Sequence, residues 1–206
     1  MEMKNMTLAD FTQKTASSDP VPGGGSIAAL AGALASALAE MVAGLTIGKK
    51  GYEDSWDEMK DLAVKASEIR VKLLDDIQRD SVSFNKYMQA LGMAKNTEEE
   101  KEERRAAMQE GLKDAAIVPF EVASLAYDIM PLADIAVVKG NSNAVTDGLV
   151  AAMMARTAVL SALLNTKINL GSIKDEAFVE KYSQKVRELE EKTIIAEREI
   201  LKKSKI

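Results

Sequence analysis

The chain has 206 residues, 47% apolar and only 4% aromatic, with a formal charge of −5 and neither cysteine nor histidine. It is long enough to bury a real core, and that core must be made of Ala, Leu, Ile, Val and Met. The composition excludes disulfides, thiolate nucleophiles, zinc-finger ligation and imidazole acid–base chemistry, and there is no Lys/Arg excess to give blanket affinity for nucleic acid or anionic membrane.

The first residues, MEMKNMTLADF, carry acids and no apolar h-region, so no secretory signal is expected and the chain is read as cytoplasmic. Only Pro20, Pro22, Pro119 and Pro131 are proline, and apolar spacing of three and four recurs almost everywhere. The expectation is an all-α protein, a single up-and-down-like helical bundle over residues 1–206 with two buried Ala-rich helices. A short helix is expected over about Thr7 to Thr15 and an Ala-rich one over about Ser26 to Ile47. GKKGYEDS is a loop. A long helix runs from about Asp54 to Leu91 and breaks at GMAKNT. Thr97 with Glu100 fits a capping box, opening a helix over about Glu98 to Asp128 with a bend near Pro119. MPLADIAVVKGNSNA reads as an irregular connector with one turn of helix. A second Ala/Met-rich helix covers about Ala144 to Leu164, NTKINLGSIKD reads as a loop, and a charged helix covers about Asp175 to Lys203. On this last helix Phe178, Tyr182, Val186, Leu189, Thr193, Ala196 and Ile200 share one face. NTEEEKEERR reads as a solvated first turn whose acids suit the helix dipole.

VPGGGSIAALAGALASALAEMVAGLTIGKK is the most unusual stretch. A phosphate loop needs G-x-x-x-x-G-K-[ST] after a strand; here the glycines follow two prolines and precede no lysine. A membrane span needs about 20 apolar residues, but eight residues from Ser26 to Ile47 are alanine, Glu40 sits inside, and no second span is evident. The third reading is a helix apolar all round and therefore buried all round. Two such helices exceed what one small bundle buries, so an oligomer interface is expected.

The stripe Met59, Leu62, Ala66, Ile69, Leu73, Ile77, Phe84, Tyr87, Leu91 has residue 80 between Ile77 and Phe84, and residue 80 is Asp80. It must point inward with its neighbours. Desolvation of such a carboxyl raises its pKa, which suits general acid–base work; the alternative is a structural ion pair with Arg156 or a lysine. Asp75 and Asp76 fall off the stripe and are expected in solvent. In KGNSNAVTD, Asn141, Ser142, Asn143 and Asp147 precede or open a helix. Ser142 or Asn143 would cap it, with Thr146 and Asp147 satisfying its first amides, or the cluster would meet an anionic or carbonyl-bearing ligand. Lys49 and Lys50 lie in a glycine-flanked loop, where they either meet an acidic substrate or counter a helix dipole.

These clusters, in this order and spacing, resemble the cyclodeaminase/cyclohydrolase family, which includes the C-terminal domain of formiminotransferase-cyclodeaminase. The resemblance rests on SSDPVPGGGSIAALAGALASALAEMVAGLTIGKKGYED, DDIQRDSVSFNKYMQA, EEEKEERRAAMQEGLKDAAIVPFEVA and GNSNAVTDGLVAAMMA with NTKINL. It implies an all-helical dimer acting on one-carbon tetrahydrofolates, with no metal and no cofactor beyond the tetrahydrofolate substrate. The reaction it implies first is formation of 5,10-methenyltetrahydrofolate and ammonia from 5-formiminotetrahydrofolate. The alternative is hydrolysis of 5,10-methenyltetrahydrofolate to 10-formyltetrahydrofolate. By the same resemblance Asp80 is the acid–base residue, Asn141, Asn143 and Asp147 hold the pterin edge or the attacked carbon, and Lys49 and Lys50 meet the glutamate-tail carboxylates. Ser26 and the glycines let ligand approach the backbone. The partners implied are a tetrahydrofolate, polyglutamylated in one variant, and a second copy of the chain, with no nucleic acid and no membrane. A non-catalytic folate-binding or scaffold bundle is the contrasting expectation, and an inward Asp80 argues against it.

Overall fold

The computed structural model describes residues 2–204, and every regular element among them is helical. The helices are α1 (Leu8–Thr15), α2 (Gly24–Gly44), α3 (Trp56–Leu91), α4 (Glu98–Tyr127), α5 (Ile129–Lys139), α6 (Val145–Leu170) and α7 (Glu176–Lys202), with short 3-10 turns at Met3–Asn5, Glu53–Ser55 and Ser142–Ala144. The Thr97–Glu100 capping box forms as expected: the Thr97 hydroxyl accepts the Glu100 N–H and the Glu100 carboxylate accepts the Thr97 N–H. The inward positions of α7 are also where expected, with Val186, Leu189, Thr193 and Ile200 buried.

α2 packs against α3 and α6, and small side chains set how closely they approach. A Cβ on Gly32 would lie 2.9 Å from Leu73 Cδ1, 3.4 Å from Ala126 Cβ and 3.5 Å from Ala158 Cβ, so α2, α3, α4 and α6 converge on this residue. Gly32→Val would force a branched side chain into that junction. It is expected to destabilise the fold by about 2 kcal/mol, the range for overpacking a core, and chemical denaturation checks it. The charge in α2, Glu40, is matched by Arg70, whose Nε donates to Glu40 Oε2 at 2.8 Å.

Two expected boundaries are corrected. The stretch read as a connector is mostly α5, because Pro131 sits in the first turn, where a missing N–H is tolerated. Helix α6 runs to Leu170, not Leu164, because its polar end is used by the helix itself: Thr166 Oγ1 bonds the Ala162 carbonyl, and Asn165 and Asn169 bond the Ser161 and Asn165 carbonyls.

The expectation that α2 is buried all round is also corrected for the single chain. Ala28, Ala29, Ala35, Ala39 and Ala43 are fully buried, but Ile27, Leu34, Met41 and Leu45 are exposed on one face, with Leu34 at 48%. α6 likewise exposes Val150, Met153, Leu164 and Ile168. Three stretches, Gly24–Gly44, Glu98–Lys139 and Ser142–Leu170, have the length and hydropathy of a membrane span. The first therefore has companions, contrary to the sequence reading; about half of each hydropathic window is buried against the other helices, at 56%, 56% and 44%.

Candidate active site

The glycine run leads directly into α2, whose N-cap Gly23 offers no side chain to its free amides. α3 supplies one instead. The backbone N–H of Ser26 favours the charged form of the Asp80 carboxylate, and Ser26 Oγ lies 3.0 Å from Asp80 Oδ2, 3.0 Å from the Ile77 carbonyl oxygen and 3.2 Å from Ser81 Oγ. One hydroxyl proton serves one acceptor at a time, so the Ser26–Asp80 bond is exchangeable. Gly25 is glycine for a steric reason: a Cβ there would sit 2.0 Å from Asp80 Oδ1.

Asp80 thus points inward, as the stripe on α3 requires, and is half-buried. The alternative of an ion pair is not realised. Among the described residues no Lys or Arg lies in salt-bridge range of Asp80, and Arg156 pairs with Glu197 at 3.0 Å. Burial raises the Asp80 pKa above the ordinary carboxylate value; the Ser26 bonds oppose this, and the charge of Asp76 adds to it. Asp76 is not in solvent as expected. It is 7% exposed, with Arg79 Nη1 at 3.0 Å, and its own pKa is raised by burial against the pull of Arg79. A helix leaning on its neighbours buries more than its apolar stripe, which is why the residue next to Ile77 is covered too.

The sign of the pH effect follows. A carboxyl whose folded pKa exceeds its unfolded value keeps its proton longer when folded, so Asp80 favours the fold at low pH. That contribution is lost as pH rises from the unfolded value through the folded one. Asp80→Asn is therefore expected to flatten the decline in stability above pH ~4, the ordinary aspartate pKa, as thermal unfolding of both proteins across that range would show.

The cleft beside Asp80 holds about 150 Å³ and is lined by Gly24, Gly25, Ser83, Phe84, Asn165 and Asn169. Asn165 and Asn169 were not singled out in the sequence because NTKINL reads as a loop. Their i, i+4 spacing on a helix continued to Leu170 is the signal that would have found them. A larger surface cleft of about 340 Å³, beside Lys167, Val179 and Arg187, gathers none of the expected site residues.

The remaining expected residues assemble at the other end of α2. The Asn141 N–H bonds Thr46 Oγ1 at 2.8 Å, its Nδ2 bonds the Leu45 carbonyl at 3.2 Å, and its Oδ1 accepts from Lys49 Nζ and from the Asn143 N–H. Asn141 thus clamps the loop after α2 to the loop before α6, with all its polar atoms engaged. It, rather than Ser142 or Asn143, caps the 3-10 turn, and α6 itself has no side-chain cap. Tyr52 reinforces the clamp: its hydroxyl lies 3.0 Å from Ser142 Oγ and accepts the Ser142 N–H at 3.0 Å, and hydrogen bonds from Ser142 to the phenolate oxygen lower its pKa. Lys50 and Asn143 are exposed, and Asp147 is half-buried in the first turn of α6.

The structure therefore unites Asp80 with Ser26, and Lys49 with Asn141 and Asn143, but separates the two groups by the length of α2. Twenty-one residues at 1.5 Å rise span about 30 Å. One chain does not bring all the expected residues into one pocket.

A protein family described as formiminotransferase-cyclodeaminase matches residues 7–188. A relative from Methylorubrum extorquens, named methenyltetrahydrofolate cyclohydrolase, is 40% identical over 90% of this chain and 88% of its own length. The formimidoyltransferase-cyclodeaminase of Sus scrofa is 34% identical over 88% of this chain, which spans 34% of that longer protein. The crystal structure of formiminotetrahydrofolate cyclodeaminase from Thermotoga maritima, 33% identical, superposes with a TM-score of 0.88 over 98% of this chain and 97% of that one.

Proposed function

Because this chain belongs to the formiminotransferase-cyclodeaminase family, we propose that it is a cytoplasmic cyclodeaminase converting 5-formiminotetrahydrofolate to 5,10-methenyltetrahydrofolate and ammonia. The observation that carries the reading is Asp80: a carboxyl with a raised pKa and, among the described residues, no cationic partner, at the edge of a cleft, in a sequence without histidine.

The reaction needs one proton moved between two nitrogens. N10 attacks the amidinium carbon, giving a tetrahedral carbon bonded to N5, N10 and an amino group. Asp80 takes the proton that N10 loses and delivers it to the amino group, which leaves as ammonia. The carboxyl ends as it began, and the methenyl cation keeps the positive charge of the amidinium. A pKa raised toward the working range suits a group that must both accept and donate. Ser26 holds the carboxylate in place through its hydroxyl, 3.0 Å from Asp80 Oδ2. The chemistry calls for no metal and no redox cofactor.

The second part of the proposal is a homodimer. Ile27, Leu34 and Met41 recur every seven residues along the exposed face of α2. A second copy packed antiparallel there, centred on Leu34, would lay the Lys49–Asn143 end of one α2 beside Asp80 of the other. Lys50, Asn143 and Asp147 would then meet the pterin edge and the glutamate carboxylates, while Lys49 and Asn141 shape that loop.

The 40% identity to a cyclohydrolase supports a second reading. There Asp80 takes a proton from water attacking the methenyl carbon and returns it to N5 as that bond breaks, while the second water proton is released to solvent as the formyl C=O forms. Purified protein with each substrate, followed by methenyl absorbance and released ammonia, separates the two. Chromophore formation with ammonia is expected. Accelerated chromophore loss would select the hydrolase, and neither change would overturn the enzyme reading in favour of a binding or scaffold role.

A further inference from the structure

Pro119 lies inside α4 and has no N–H, so the Ala115 carbonyl four residues earlier lacks its helical partner. α6 supplies one. Asn169 Nδ2 donates to the Ala115 carbonyl at 2.8 Å and to the Asn165 carbonyl at 2.8 Å. Both hydrogens of the carboxamide are thereby engaged on groups that can only accept, which fixes which way the amide faces. Its Oδ1, an acceptor with two lone pairs, is the atom left for the cleft that Asn169 lines with Asp80. Asn165 is held less fully, its Nδ2 donating once, to the Ser161 carbonyl at 2.9 Å. Neither Oδ1 is a sealed, unsatisfied polar atom; both remain open to a partner.

A helix-breaking residue on α4 thus turns a side chain on α6 into an oriented acceptor beside the acid–base carboxyl. We propose that Asn169, held by the carbonyl that Pro119 frees, accepts an N–H from the nitrogen on the reacting carbon. It makes the cleft specific for an amidine, N–CH=NH₂⁺, over its oxygen isostere, N–CH=O. The inference rests on the folate reading and deepens it. An amidine presents donors where a formyl group presents an acceptor, and two facing acceptors leave both unpaired. Sites built around a polar group discriminate strongly against analogues that leave it unpaired.

Calorimetric titration tests this with a matched pair, 5-formiminotetrahydrofolate and 5-formyltetrahydrofolate, on the Asp80→Asn protein so that turnover is slow during the titration. The formimino ligand is expected to bind at least ~10-fold more tightly, the effect of one oriented hydrogen bond. Adding Asn169→Ala should erase most of that preference by weakening the formimino ligand alone. Pro119→Ala gives Ala115 back its helical bond and releases Asn169 without altering the cleft lining. It should reduce the preference while circular dichroism shows the helices intact, which excludes unfolding as the cause, since the restored helical bond offsets the buried ring atoms lost. Equal weakening of both ligands, or an unchanged ratio, would overturn the proposal. Failure of the Asp80→Asn parent to bind either ligand would overturn the folate reading itself, and shows before any second substitution is made.

Discussion

Asp80→Asn is expected to lower methenyl formation by about 10²- to 10⁴-fold, the usual contribution of a positioned proton-transfer group, while leaving the fold intact. Carboxyl and carboxamide have the same shape. The carboxamide oxygen can still accept from Ser26 Oγ, the bond that Asp80 makes now, and Asn is as good a cap for free helix amides as Asp. The substitution also removes a charge that burial disfavours. Cap and catalyst therefore separate: a purely structural Asp80 would show near-normal turnover in the Asn variant. Steady-state rates together with the far-ultraviolet circular dichroism of the same samples decide between them.

Leu34→Asp is expected to halve the mass in solution and to depress turnover more than ~10-fold at micromolar protein, with the chain still helical. In the isolated chain Leu34 is 48% exposed, so an acid there would change monomer stability little. At the centre of an antiparallel α2 pair the same acid meets its own copy. It would be desolvated without a partner, which costs several kcal/mol and shifts association by more than ~10²-fold. Sedimentation and activity across a concentration series read the two effects together. A dimer that survives, or a fully active monomer, would place the interface elsewhere.

The sequence makes the helices legible wherever one face is apolar and the ends are chemically marked. The stripe on α3 locates Asp80, and Thr97 with Glu100 locates the start of α4. What is not legible has tertiary causes. α5 contains Pro131 and α6 ends in Asn165–Asn169, so both look like loops until the packing shows the proline in a first turn and the asparagines bonded to carbonyls. Asn169 becomes a site residue only because Pro119, fifty positions earlier, orphans a carbonyl that lies beside it in space. Asp76 is covered although it lies off the stripe. Asn141 and Asp80 both stand out in the sequence, but the length of α2 between them is invisible in a list of motifs. That length is what makes a second chain necessary to the account.

If Asp80 of one chain works with the Lys49–Asn143 end of the other, subunit mixing shows it most directly. One variant is Asp80→Asn. The other carries Lys50→Ala and Asn143→Ala, exposed residues whose side chains take no part in the Asn141 clamp, Asn143 joining it through its backbone N–H alone. Each alone should be impaired. After dissociation and reassociation in equal amounts, half the dimers are mixed, and one of their two sites receives both intact ends. Activity should therefore recover to roughly a quarter of wild type, as the symmetry of a two-fold dimer requires. A mixture no more active than the mean of the two variants would contradict the shared site.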